Sequence, residues 1–162
     1  MFSTIFTLKR VLLLILAFWF SVVFLTNAFD LLKAAGIFPM EWKFASDKFE
    51  MIRRTTLIYN MPGWLNVILF ISVLIWEGFI AVLFFKAFLS FKSLSDKGSS
   101  AVNAAFFCSV SMWGAFIIFD ELFKNYSLEV THFALFVLNL VSLLIIKLIP
   151  AKEPVIKSKP KK

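Results

Sequence analysis

Glu77 is the residue whose type and position most clearly suggest chemistry, because a carboxylic acid stands there inside a long apolar stretch. It precedes Lys86 by nine residues, which is roughly 13 Å along a helix. Ionisable groups inside hydrocarbon are costly and often functional. Three interpretations stay open. A neutral Glu77 bonds to Asn139 or a serine and holds helices together, it binds a proton, cation or polar ligand, or it contacts a partner subunit.

Other polar residues are predicted to lie near the same depth as Glu77. When the apolar stretches are aligned as antiparallel helices across one bilayer, Ser21, Ser111 and Asn139 fall near the depth of Glu77. Polar side chains on neighbouring membrane helices satisfy one another by hydrogen bonds. We therefore take these three residues, with Glu77, as the intramembrane polar candidates.

A second polar group gathers at the opposite ends of the same stretches. Asn27 and Asp30 close the first stretch, Asp120 and Glu121 follow the third, and His132 begins the fourth. Carboxylate oxygens and histidine nitrogens are common ligands of divalent metal ions. Residues at helix ends are normally solvated, however, so we predict no metal and favour a structural group that ties loops together.

No common catalytic motif was found that would indicate an enzyme. The sequence contains no nucleophile elbow, phosphate loop or HExxH, and its single cysteine, Cys108, cannot form an intrachain disulfide. We predict no catalytic residue and no cofactor. A membrane enzyme working at the face of Asp30, Glu121 and His132 is a distant alternative.

The high apolar fraction of the sequence indicates that membrane-spanning segments hold these residues. Hydrophobic residues make up 60% of the 162 and charged residues 17%, against about 45–50% and about 25% in soluble domains. These values exclude a disordered chain and a disulfide scaffold, and they indicate an integral membrane protein. The net charge of +7 comes from bases that flank apolar stretches, so nucleic-acid binding is not expected.

Four stretches are long enough to cross a bilayer, which takes about 20 apolar residues each. They predict an all-α, four-helix transmembrane bundle forming one domain over residues 1–149. The Pro62-Gly63 pair predicts the start of the second helix, Ser99 or Ser100 the N-cap of the third, and Pro150 the end of the fourth. The predicted spans are about 11–32, 64–85, 101–119 and 130–149.

The first span has an alternative interpretation. Its basic start, apolar core and small residues at Thr26 and Ala28 also fit a cleavable signal peptide, with a mature chain beginning at Phe29. The apolar run is long for a signal peptide and contains bulky aromatic residues, so we favour a membrane-spanning helix.

The long first loop predicts a short amphipathic helix. Gly36 breaks the first helix, and beyond it Trp42, Ala45, Phe49 and Ile52 recur at helical spacing. Charged residues fill the other side, with Glu50 and Arg54 spaced for an ion pair. The helix is predicted to lie flat at the outer interface, where it anchors the bundle or forms a lid.

Lysine and arginine counts predict the orientation. Eleven lie in the segments that are inside if the N-terminus is cytoplasmic, and six lie in the outer segments. Positively charged loops favour the cytoplasm, so we predict that both termini are cytoplasmic. Residues 150–162 are predicted to form a disordered basic tail that rests on anionic lipids.

Several of these residues form a recognisable pattern, which consists of Asn27-x-x-Asp30, Trp76-Glu77, Trp113 and Glu121-x-Phe123. The pattern resembles a bacterial family of predicted small four-span integral membrane proteins of unknown function. The resemblance covers roughly residues 8–149 and implies the same fold in a bacterial inner membrane. The chain departs from the family near Phe44, where the family usually has a histidine, and at residues 117–120, where the family is rich in glycine.

Taken together, the sequence favours a non-enzymatic accessory or scaffold subunit of a membrane complex. The alternative is a small proton- or cation-coupled transporter, or a ligand-binding membrane protein, that uses Glu77. The expected partners are the lipid bilayer and other membrane subunits or copies of the chain.

Overall fold

The computed structural model describes residues 2–39, 41–91 and 96–148, with side chains at 7–39, 41–91 and 99–148. These residues form five α-helices and one short 3-10 turn, Leu57–Tyr59. Four of the helices are long and apolar enough to cross a membrane, so the chain is a multi-pass membrane protein with an all-helical bundle, as predicted. The helices are α1 (Phe2–Ala34), α2 (Lys48–Thr56), α3 (Gly63–Ser90), α4 (Asp96–Leu122) and α5 (Tyr126–Leu148).

Two predicted helix boundaries are confirmed. α1 ends at Ala34, and Gly36 follows with a φ of 73°, a left-handed conformation that costs glycine little. α3 begins at Gly63 after Pro62, which is extended at ψ 144°. A proline without a donor N–H suits a helix start, where that N–H would lack an intrahelical partner.

The long helices extend beyond the predicted apolar spans. α4 begins at Asp96, so Ser99 and Ser100 lie inside it, and their prediction as N-cap is wrong. Ser99 instead accepts a hydrogen bond of 3.0 Å from Nζ of Lys147 on α5. Apolarity marks only the part of a helix suited to hydrocarbon, whereas the backbone continues into polar turns. Pro150 and the predicted tail lie outside the described residues.

The amphipathic helix is shorter than predicted. α2 begins at Lys48, so Trp42 and Ala45 are not part of its apolar face. Asp47 interrupts the helical backbone with a φ of 56°, and the ring of Trp42 packs instead on Phe29 of α1, with centroids 5.9 Å apart. The ion pair of Glu50 with Arg54 is confirmed at 3.2 Å.

The bundle is assembled in sequence order. α1 packs along α3, α3 along α4, and α4 along α5. Aromatic rings fill the core at these contacts. Phe84 of α3 stacks on Phe20 of α1 at 5.6 Å and meets Phe106 of α4 edge-on at 5.1 Å. Such pairs contribute packing energy in addition to the area they bury.

One end of the bundle is closed by a buried lysine. Lys9 of α1 is only 1% exposed, and its Nζ donates a 2.8 Å hydrogen bond to the carbonyl oxygen of Ile146 near the end of α5. Carbonyl groups in the last turn of a helix lack intrahelical donors and attract cations. This contact brings α1 and α5 together at that end.

Gly78 permits a close approach of α1 and α3 beside Glu77. A Cβ at Gly78 would lie 3.2 Å from Cε2 of Phe24, whereas one at Gly114 would lie an ordinary 3.7 Å from Phe136. We expect Gly78→Ala to lower the thermal unfolding midpoint in detergent relative to Gly114→Ala, because overpacking costs about 1–3 kcal/mol. Both substitutions gain the same helix propensity. Equal midpoints would contradict this account of the α1–α3 contact.

Candidate functional site

A cavity of about 350 Å³ lies among the helices at the end opposite to Lys9. All five helices contribute to its wall, including α2, whose residues Met51 and Thr55 line it. A volume of this size falls near the lower end of the about 300–1,000 Å³ found for small-molecule sites. The cavity therefore provides room for a compact ligand within the bundle.

Glu77 of α3 lines this cavity and is bound to Asn27 of α1. Its side chain is 2% exposed, and Nδ2 of Asn27 donates to Oε1 at 2.8 Å and to Oε2 at 2.9 Å. A residue predicted at mid-depth and one predicted at an outer end thus meet in one site. The amide supplies donors to the carboxyl and offsets part of the cost of burying it.

Asp120 and His132 form a second pair in the cavity wall. Oδ2 of Asp120 on α4 is hydrogen-bonded to Nδ1 of His132 on α5. The imidazole also packs on two rings of α4, at 5.6 Å from Trp113 and 5.0 Å from Phe116. These contacts hold the imidazole ring in one orientation and hold α4 and α5 together near the mouth.

Trp113 contributes an unsatisfied donor to the same wall. Its side chain is 4% exposed, and its buried Nε1–H has no hydrogen-bond partner within the described part of the chain. A buried polar group without a partner is costly and uncommon in folded proteins. Trp113 also lines the cavity, although the Nε1 atom itself is enclosed by neighbouring protein atoms.

α2 covers the mouth of the cavity and is attached to α1 and α3. Oδ2 of Asp30 accepts the backbone N–H of Phe49 at 2.8 Å and the hydroxyl of Ser46 at 3.2 Å. At the other end of α2, Oγ1 of Thr56 donates to Oδ1 of Asn66 at 2.8 Å. Asp30 of α1 therefore caps the N-terminus of α2, a role usually filled by a residue next to the helix itself.

The other intramembrane candidates lie apart from the cavity. The expected bond between Glu77 and Asn139 is not formed, because Asn139 lies on α5 and accepts from Ser109 of α4 at 2.9 Å. Ser21 donates to the Ala17 carbonyl of its own helix at 2.8 Å. Ser111 is half-buried and does not line the cavity. The rotation of each helix about its axis therefore decides which of these polar residues meet.

The outer-face candidates also divide among different roles. Asn27 and His132 line the cavity, Asp30 holds α2, and Glu121 is exposed. Among the described side chains, no three His, Cys, Asp or Glu residues come close enough to hold a metal ion. The four residues named from sequence therefore do not form one shared site.

Three buried features of the bundle are not predicted by the sequence. They are the hydrogen bond of Ser109 to Asn139, the burial of Lys9, and the Nε1–H of Trp113, which has no partner among the described residues. The spacing of Trp113, Phe116 and Asp120 on one face of α4 is a signal that would have linked them to one wall.

Comparison with models of known protein families found no match to the chain, and comparisons with curated proteins and with solved structures found none either.

The attachment of α2 through Asp30 gives a direct test of the mouth. We expect Asp30→Ala to speed amide hydrogen exchange in α2 by about tenfold, because a hydrogen bond to a charged group contributes about 1.5–3 kcal/mol. Hydrogen exchange with mass spectrometry measures this directly. Glu50→Ala serves as the control, since it removes only exposed ion pairs worth about 0–1 kcal/mol. Similar exchange in both variants would show that Asp30 does not hold α2.

Proposed function

We propose that the protein is a ligand-binding membrane protein in which Glu77 holds the polar group of a small molecule. The observation that carries this proposal is the position of a buried carboxyl in the wall of a cavity rather than in packed side chains. Asn27 donates one bond to each oxygen, whereas an ionised carboxylate accepts about four. Acceptor capacity therefore remains for a ligand.

A comparison within the bundle supports binding over a purely structural role. Asn139 and Ser109 form a buried polar pair that satisfies itself between α4 and α5 and does not line the cavity. Such a pair is what helix association alone requires. Glu77 and Asn27 instead stand where water or a ligand can reach them, which a structural cross-link does not need.

The aromatic and hydroxyl groups of the cavity indicate how a molecule would be held. Trp19 and Trp113 approach each other at 5.8 Å on the α1–α4 side, and threonines of α2 lie at the mouth. An apolar body would replace water along the rings, while its polar group meets Glu77. This division between apolar walls and a few polar groups is typical of small-molecule sites.

An accessory or scaffold subunit remains our second proposal. α5 is the least covered of the membrane helices, with 11% of its apolar window buried against 33% for α3. A helix with so little intramolecular contact is suited to packing against another membrane protein or a second copy of the chain. The two proposals differ in what accompanies the purified protein.

Purification in mild detergent followed by native mass spectrometry separates them. We expect a small molecule to accompany the wild-type chain and to be lost from Glu77→Gln, which keeps the size of the side chain but not its charge. Glu121→Gln, an exposed carboxyl outside the cavity, is the matched control. A stoichiometric protein partner without a small molecule, unchanged in Glu77→Gln, would favour the subunit role instead.

We also propose that both termini face the cytoplasm of a bacterial cell, in the inner membrane, in keeping with the resemblance to the bacterial four-span family. The basic residues Lys9 and Lys147 lie at the same end of the bundle, because Lys9 reaches Ile146. Positive charge near span ends favours the cytoplasmic side. We expect a reporter that works only in the cytoplasm to be active when fused to the C-terminus, and a reporter that works only outside the cytoplasm to be inactive there. The opposite result would mean that the C-terminus lies outside the cytoplasm.

A further inference from the structure

We infer that the ligand of the cavity is an organic cation with a compact apolar body that also carries a hydrogen-bond acceptor. This inference rests on the proposed function and specifies the chemistry of the molecule that Glu77 binds. It follows from the charge of the cavity wall, from its aromatic rings and from the unpaired donor of Trp113.

The charges that line the cavity favour a cation. Glu77 and Asp120 bring two carboxyl groups, and the imidazole of His132 is already bonded to Asp120. Lys48 also lines the cavity, but its side chain is exposed, so solvent screens its charge. A buried carboxylate is strongly stabilised by a partner of opposite charge, and an anionic ligand would be repelled by Glu77.

The aromatic rings of the wall suit an organic cation rather than a metal ion. Six residues with large aromatic rings line the cavity, namely Trp19, Phe70, Trp113, Phe116, Phe119 and Phe123. Cations are attracted to ring faces, with tryptophan the strongest partner, by about 0.5–2 kcal/mol. A metal ion would need several oxygen, nitrogen or sulfur ligands, and the described side chains do not gather three acidic, histidine or cysteine groups for it.

The free N–H of Trp113 adds a requirement that the carboxyl does not impose. A purely apolar occupant would leave this donor without a partner and would leave Glu77 with Asn27 as its hydrogen-bond donor, which is costly for a buried polar group. Nε1 of Trp113 has almost no exposed surface, so a small rotation of the indole would let it donate to a hydroxyl, ether or carbonyl oxygen on the ligand. The best ligand therefore presents a positive group to Glu77 and an acceptor to Trp113.

Three probes of similar size test the charge preference on the full chain in detergent. Benzyltrimethylammonium is the cation, neopentylbenzene is its neutral counterpart of the same shape, and phenylacetate is the anion. Equilibrium dialysis of labelled probe against protein-free micelles gives the binding due to the protein alone. We expect the cation to bind wild type, and to bind Glu77→Gln at least about tenfold more weakly, since removing one member of a buried charge pair is strongly unfavourable.

Glu121→Gln is expected to bind the cation as wild type does, which controls for the loss of a carboxylate elsewhere. Equal binding of the cation and the neutral probe to wild type would overturn the inference, as would preferential binding of phenylacetate. In either case, loss of that binding in Glu77→Gln would leave the proposed function standing. If no probe binds wild type and no small molecule co-purifies, the proposed function fails as well.

A second variant keeps the test independent of the folding of Glu77→Gln. Trp113→Phe retains an aromatic ring but removes the N–H. We expect 4-methoxybenzyltrimethylammonium to bind wild type more tightly than the unsubstituted cation, because its ether oxygen accepts from Trp113, and we expect this difference to disappear in Trp113→Phe. An equal preference in both proteins would overturn the requirement for an acceptor.

Discussion

The Glu77 carboxyl is buried among apolar helices, and the helices around it must supply its hydrogen-bond donors. A charged or polar group placed in apolar surroundings must find partners or destabilise the fold. Asn27 provides them from α1, and this bond requires α1 and α3 to lie close together. Gly78 allows that approach, because its missing side chain leaves room for the ring of Phe24. The polar bond and the close helix contact therefore stabilise each other.

The bundle is joined differently at its two ends, and the cavity results from this difference. At one end Lys9 connects the first helix directly to the carbonyl of Ile146 near the end of the last. At the other end the helices surround the cavity, and the short helix α2 covers it. Hydrogen bonds to Asp30 of α1 and Asn66 of α3 hold α2 in place. An element held by a few hydrogen bonds is easier to displace than a packed span. The cavity is thus covered on this side by a short helix that side-chain hydrogen bonds attach to its neighbours.

Two kinds of polar pair in the bundle explain why binding is the better-supported function. Asn139 and Ser109 satisfy each other in the packed contact between α4 and α5. Glu77 retains acceptor capacity in a cavity, and the donor of Trp113 there has no partner in the described residues. A buried polar group without a partner costs stability, and the same group can contribute affinity and selectivity when a matching ligand occupies the cavity.

The apolar stretches and the glycine and proline residues at helix ends were enough to predict the four membrane helices, the break at Gly36 and the start at Gly63. These features can be predicted because span length and backbone preference are local properties of the sequence. The apolar stretches also marked Glu77 as exceptional. The partner of Glu77, the separate pairing of Asn139 and the capping of α2 by Asp30 were decided by tertiary structure. Depth in a membrane follows from counting residues, whereas facing partners depend on how each helix rotates and packs, and that is a property of the whole bundle.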